Sequence, residues 1–157
     1  MLESSLYCPD LEAAERFYRE VLGLELVGRR AGRHVFLRCG EGMVLLFDPE
    51  ATERPDGPGD DAASMDTAQG GAGAQASDEE GGIDVPSHGA RGPGHLAFRV
   101  GGREIERWRG HLREAGVPIE AEVSWPGGGR SLYVRDPAGN SIELATGAVW
   151  GFEECPS

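Results

Sequence analysis

The stretch that decides the reading is Gly94-His95-Leu96-Ala97-Phe98-Arg99-Val100, GHLAFRV. Apolar Leu96, Phe98 and Val100 alternate with His95, Ala97 and Arg99. Period two marks a strand with one apolar face. The apolar face packs inward, so His95 and Arg99 look the other way. Such a histidine is either a metal ligand lining a cavity or a sheet histidine bonded to Ser or Glu.

Working outward, the regions flanking residues 51–91 resemble each other. The first opens ESSLYCPDLEAAERFYREVLGLELV and the second HLAFRVGGREIERWRGHLREAGVPIE. Placing Glu3 over His95 aligns Leu6 with Phe98 and brings the helical stretches within about one position, as expected of diverged repeats. Each half starts with a short strand, passes a polar turn and enters a helix that ends near Gly23 or Gly116. Asp10 suits the N-cap of the first helix. Leu11, Ala14, Phe17 or Tyr18, and Val21 or Leu22 form one apolar stripe, and Ile105, Trp108, Leu112 and Ala115 the other. Aromatics at that spacing are expected in the core. Strands are then expected over 24–29, 34–39 and 43–48, and over 119–124, 130–135 and 141–146, with RDPAGN (135–140) a strong turn signal. Each half therefore reads as β-α-β-β-β. The fold class is α+β: two pseudo-repeated modules forming a curved mixed sheet around a cleft, helices on the outside.

The chain has 157 residues, of which 25 are glycine, and 39% are hydrophobic. That suffices for one ordinary core with part of the chain left out of it. Residues 51–91, rich in Gly, Ala, Asp, Ser and Pro, show no periodicity and read as an acidic linker or insertion without chemistry. The organisation is thus a first module over 1–50, the linker over 51–91, a second module over 92–147 and a tail over 148–157. The net charge of −12 argues against nucleic acid or an anionic membrane as partner. All basic residues are Arg, as in a GC-rich genome or a salt-tolerant host. No apolar run approaches the ~20 residues of a membrane span, no signal-peptide pattern is present, and Cys8, Cys39 and Cys155 have no metal or redox spacing. A cytoplasmic protein is expected.

Strand polarity brings the chemistry together. In 141–146, Ile142 and Leu144 are the apolar pair, so Ser141, Glu143 and Ala145 face oppositely. In the first strand, Leu2 and Leu6 flank Ser4, which puts Glu3, Ser5 and Tyr7 on the second face. If the two curved sheets enclose a cleft with these faces, Glu3, His95 and Glu143 converge. One imidazole and two carboxylates make a mixed N/O site for Fe(II), Mn(II), Ni(II), Zn(II) or Co(II).

The paired modules, DLEAAERFYREVLGLELV and DPAGNSIEL together resemble the vicinal oxygen chelate superfamily, which includes glyoxalase I, bleomycin-resistance proteins, fosfomycin-resistance enzymes and extradiol dioxygenases. The resemblance covers both flanks and omits residues 51–91. It implies metal ligands on the first and last strands of each half. Carried onto this chain, these are His95 and Glu143 in the second half. The first half departs from the pattern: Glu3 stands where His is usual, and Leu45 or Leu46 where glyoxalase I-like members have a carboxylate. The resemblance implies a divalent-metal-dependent lyase or isomerase that chelates two oxygens of a small substrate. The alternatives are a metal-free drug-binding protein of bleomycin-resistance type and an extradiol-type dioxygenase. Glu3 is the candidate base if it is not a ligand, and a homodimer is expected.

Tyr7, Arg38, Arg99 and Tyr133 are candidate substrate-binding residues, each with a surface or packing role as the alternative. His88 reads as a solvated loop histidine, with a lid or a substitute ligand as the other reading. His34 and His111 read as structural or exposed. Trp125, before PGGGRSLY, reads either as a loop over the cavity mouth or as a hairpin with a half-buried aromatic. No G-x-S-x-G nucleophile elbow occurs.

Overall fold

The computed structural model describes residues 1–53 and 86–153. The chain divides into two compact units, Met1–Arg91 and Gly92–Ser157. The expected acidic linker falls mostly outside the described residues. At its near edge, Pro49–Thr52 form a short helix, α2, capped by Asp48, with Thr52 buried.

The first unit comprises strand β1 (Glu3–Tyr7), helix α1 (Leu11–Arg16), and strands β2 (Glu25–Arg30), β3 (His34–Cys39) and β4 (Gly42–Phe47), followed by α2. Its sheet runs β1-β4-β3-β2. The second comprises β5 (His95–Val100), α3 (Ile105–Glu114), β6 (Ala121–Ser124), β7 (Arg130–Arg135) and β8 (Ser141–Thr146). It repeats that order as β5-β8-β7-β6. In each unit the first strand pairs parallel with the last, and the other pairs are antiparallel. This is the expected α+β repeat, with strand ends shifted by at most two residues.

Local chemistry explains the elements. The Asp10 carboxylate accepts the Ala13 N–H at 2.9 Å, an N-cap that satisfies an orphan donor. Helix α1 continues through Phe17–Val21 as a π turn, with Leu22 N–H bonded to Phe17 O, and ends at Gly23 with φ +74°. Leu11, Ala14, Phe17 and Tyr18 are buried with Leu6, Val35, Leu37, Val44 and Leu46 from the facing strands. Each large aliphatic removed from water there contributes roughly 1.5–3 kcal/mol. In the second unit Ile105 and Leu112 do the same against Leu132, Val134, Ile142 and Leu144.

Two expected core residues fall elsewhere. Trp108 is only half-buried, its ring edge-on to His111, and Ala115 is exposed at the helix C-cap. The connection into α3 is two residues longer than the one into α1, counted from Glu3 and His95, so the stripe is displaced from its sequence alignment. Leu2, expected on the apolar face, is 76% exposed just before β1 begins.

Parallel pairing of β5 with β8 is held at one end by the RDPAGN turn. Asp136 Oδ1 accepts the N–H groups of Ala138 and Asn140, and Asn140 Nδ2 donates to Asp136 Oδ2 at 2.8 Å. Asn140 Oδ1 in turn accepts the Gly94 N–H at 2.7 Å, and Ser141 N–H bonds Gly94 O at 2.9 Å. Both side chains are buried. The turn therefore sets the register that places His95 against Ser141 and Ala97 against Glu143. The first unit keeps the backbone half of this device, Met43 N–H to Leu2 O, but has Gly42 at the asparagine's place. A Cβ there would come within 3.3 Å of Leu2 O.

Replacing Asn140 by Ala removes the donor to the buried Asp136 Oδ2 and the acceptor of the Gly94 N–H. Denaturant unfolding is expected to show a loss of about 2–3 kcal/mol, whereas Gly139→Ala, in open space but at φ +84°, reports backbone strain alone.

Candidate functional site

The second sheet carries a polar cluster on the face turned away from α3. Ala97 and Tyr133 flank Glu143 across the strands. Glu143 Oε1 accepts the Tyr133 hydroxyl at 2.9 Å. Its other oxygen, Oε2, lies 3.3 Å from His95 Nε2. The His95 and Tyr133 rings stack with centroids 6.3 Å apart. Glu143 is 7% exposed, whereas the His95 side chain is half-exposed. A buried carboxylate is thus fixed by a phenol on one side and offers its second oxygen beside an accessible imidazole nitrogen. Burial first, and then the Glu143 hydrogen bond and charge, push the Tyr133 phenol above its ordinary range. It therefore remains a donor to Glu143 throughout neutral and mildly alkaline pH.

The first sheet shows what its corresponding face became. Matching Glu3 to His95 in register puts Met43 at Ser141, Leu45 at Glu143 and Phe36 at Tyr133. Of the two residues considered for the missing carboxylate, Leu45 is the one on this face, and Leu46 faces the helix side. His34 stacks on Phe36 at 4.1 Å, and Phe47 meets both edge-on. Glu3 is exposed at the start of β1, on the same face as Ser5 and Tyr7.

The remaining candidates have definite partners. The Tyr7 hydroxyl and His88 Nδ1 are hydrogen-bonded at 2.8 Å, and the His88 ring sits 4.6 Å from that of Phe47. His88 is thus docked on the first sheet rather than free in a loop, a placement that no periodicity signals because it lies in an irregular segment. Arg38 is exposed, 3.9 Å from Glu25. The Arg99 guanidinium bonds the Glu153 carbonyl of the C-terminal segment. Trp125 sits in the hairpin before β7, and its indole nitrogen donates to Ser131 Oγ at 2.9 Å. Ser131 and the C-terminal segment were not among the sequence candidates: a buried serine gives no sequence signal, and tail contacts are long-range.

Among the described residues no group of three or more His, Cys, Asp or Glu side chains is placed to hold a metal ion. Within the second unit His95 and Glu143 form an N/O pair whose donors already approach one another, which suits two positions of a borderline divalent ion. No described helix is long and apolar enough to cross a membrane. Burial pushes the Cys39 thiol up.

The model of the Glyoxalase/Bleomycin resistance protein/Dioxygenase superfamily matches residues 2–144, and the chain belongs to that family. Among solved structures, the chain is similar to the lactoylglutathione lyase of Agrobacterium tumefaciens. The two are 38% identical with a TM-score of 0.76, covering 97% of this chain and 96% of that one. The fold is shared with the fosfomycin resistance protein FosX of Mesorhizobium loti, at 19% identity and TM-score 0.54 over 94% and 90% of the two chains. It is also shared with a glyoxalase/bleomycin resistance protein/dioxygenase from Nocardioides, at 21% identity and TM-score 0.61 over 92% and 81%. No curated protein matches the chain.

The Tyr133 environment makes a pH prediction. A raised phenol pKa gives stability that is complete below the ordinary tyrosine value of ~10 and is lost as pH rises through the folded-state value. In a spectrophotometric titration of the metal-free protein, Tyr133→Phe is expected to remove a late-ionising tyrosinate component. The stability difference between the two proteins should fade only above that range.

Proposed function

We propose that this protein is a divalent-metal-dependent lyase or isomerase with His95 and Glu143 as metal donors and Glu3 as either a further ligand or the base. The observation that carries this is the pairing of His95 Nε2 with Glu143 Oε2 at 3.3 Å, with the other carboxylate oxygen occupied by Tyr133. Glu3 is supported by its register: it stands opposite Met43 as His95 stands opposite Ser141. The metal itself, one of Fe, Mn, Ni, Zn or Co, would supply Lewis-acid stabilisation of oxyanion charge on a substrate with two adjacent oxygens.

The chain's own residues divide the remaining work. Glu143, anchored by Tyr133, holds its charge in a fixed place and needs no rearrangement during the reaction. His95 is accessible to solvent and so open to an incoming ligand. Glu3 is the exposed carboxylate available for moving a proton between the two oxygen-bearing carbons. The relative at 38% identity supports lactoylglutathione, whose thioester carbonyl and neighbouring hydroxyl are two adjacent oxygens, as the first compound to try. A homodimer in the cytoplasm completes the reading.

Metal content and lyase activity test it together. Protein purified without a tag and dialysed against each of the five ions should retain about one ion per chain, and His95→Ala or Glu143→Gln should lower affinity by tenfold or more. Glu3→Gln separates two roles: lost metal marks a ligand, whereas retained metal with a kcat lower by roughly 100-fold or more marks the base. Metal content indifferent to His95→Ala would overturn the proposal.

A further inference from the structure

The first unit has a cavity on the side of its sheet that faces α1, away from the face carrying Glu3. It lies between α1 and the turn that joins β2 to β3, and its volume of about 530 Å³ suits a small organic molecule. The floor is apolar: Leu11 of α1 and Val35 of β3 are 8% and 3% exposed. Arg16, Arg29 and Arg30 line the walls.

A buried charge holds one of these walls in place. Glu15 is 7% exposed, lines the same cavity and takes no part in the proposed metal site. Its Oε1 accepts Arg19 Nη1 at 2.8 Å, and its two oxygens lie 3.3 and 3.2 Å from Arg29 Nη1. A buried carboxylate needs such partners. Two guanidiniums on one carboxylate also leave a positive charge in excess. The pairing orients Arg29, yet uses only its Nη1, and half of that side chain stays exposed. Its remaining donors are available at the cavity.

Arg16 is exposed in the last turn of α1, directly before the helix widens into its π turn. Such single-turn irregularities recur at functional sites. Among the described residues Arg16 has no ion pair and no side-chain hydrogen bond. The lining therefore sets three guanidiniums against the carboxylates of Glu12 and Glu15, with Arg19 a fourth at the latter. In a chain of net charge −12 this is a local excess of positive charge, and it selects for an anion. A phosphate monoester is close to a dianion at neutral pH and offers three oxygens. That is enough to engage two guanidinium forks at once, whereas a carboxylate has two oxygens and one charge.

We propose that this cavity binds a small phosphate ester, with its phosphate on Arg16 and Arg29 and its organic part against Leu11 and Val35. The site is separate from the metal donors and does not depend on them.

Phenyl phosphate, titrated into the metal-free full chain at neutral pH and followed by amide NMR, tests it. Shifts are expected in α1 and in residues 29–35, and not in β5 or β8. Inorganic phosphate lacks the organic part and benzoate lacks the third oxygen, so each should bind several-fold more weakly. Arg16→Gln, at an exposed position, should weaken phenyl phosphate roughly tenfold or more. Arg16→Lys keeps the charge but loses the fork and should weaken it less. Arg107→Gln, exposed on α3, should bind as the unaltered chain does. The proposal is overturned if no amide moves, if the shifts centre on β5 and β8, or if Arg16→Gln leaves binding unchanged. Benzoate binding more tightly than phenyl phosphate would overturn the choice of phosphate.

Discussion

The second unit depends on the Asn140 side chain. Its oxygen accepts the Gly94 N–H just before β5, while its nitrogen donates to Asp136 in the turn before β8. A parallel strand pair has no hairpin to fix its register. Here a buried amide performs that task, and a one-residue slip would send His95 and Glu143 to opposite faces. The chemistry of this unit follows from that constraint: the imidazole beside the carboxylate and the phenol across the sheet.

The two units share one plan but line the corresponding faces of their sheets differently. Both preserve the strand order and the parallel first–last pair. On the corresponding face of the first sheet, Leu45, Phe36, Phe47 and the stacked His34 stand where the second has Glu143, Tyr133, Ala145 and Ser131. An apolar lining needs no partner for each atom. A buried carboxylate such as Glu143 does need one, which is why it comes with a phenol.

Much of this was legible in the chain. Alternation in GHLAFRV gave the strand and put His95 on the side away from the helix, because a pleated backbone sends neighbours to opposite faces. The same argument placed Glu143 correctly and made Tyr133 a candidate. It could not choose between Leu45 and Leu46, since both are apolar and the strand is buried on both faces. The helix stripe was misjudged at Trp108 and Ala115, because loop length, not periodicity, decides how a helix is rotated over its sheet.

The sequence by itself therefore determined the elements, their order, the faces of the strands and the family to which the chain belongs. Each of these depends on local periodicity or on short motifs such as DPAGN. Tertiary structure decided the rest. It bound Arg99 to the C-terminal segment, docked His88 on Tyr7 and Phe47, and bonded Trp125 to Ser131 and Tyr133 to Glu143. Those partners come from different strands, turns and tails, and a hydrogen bond of about 3 Å between them has no signature in spacing along the chain.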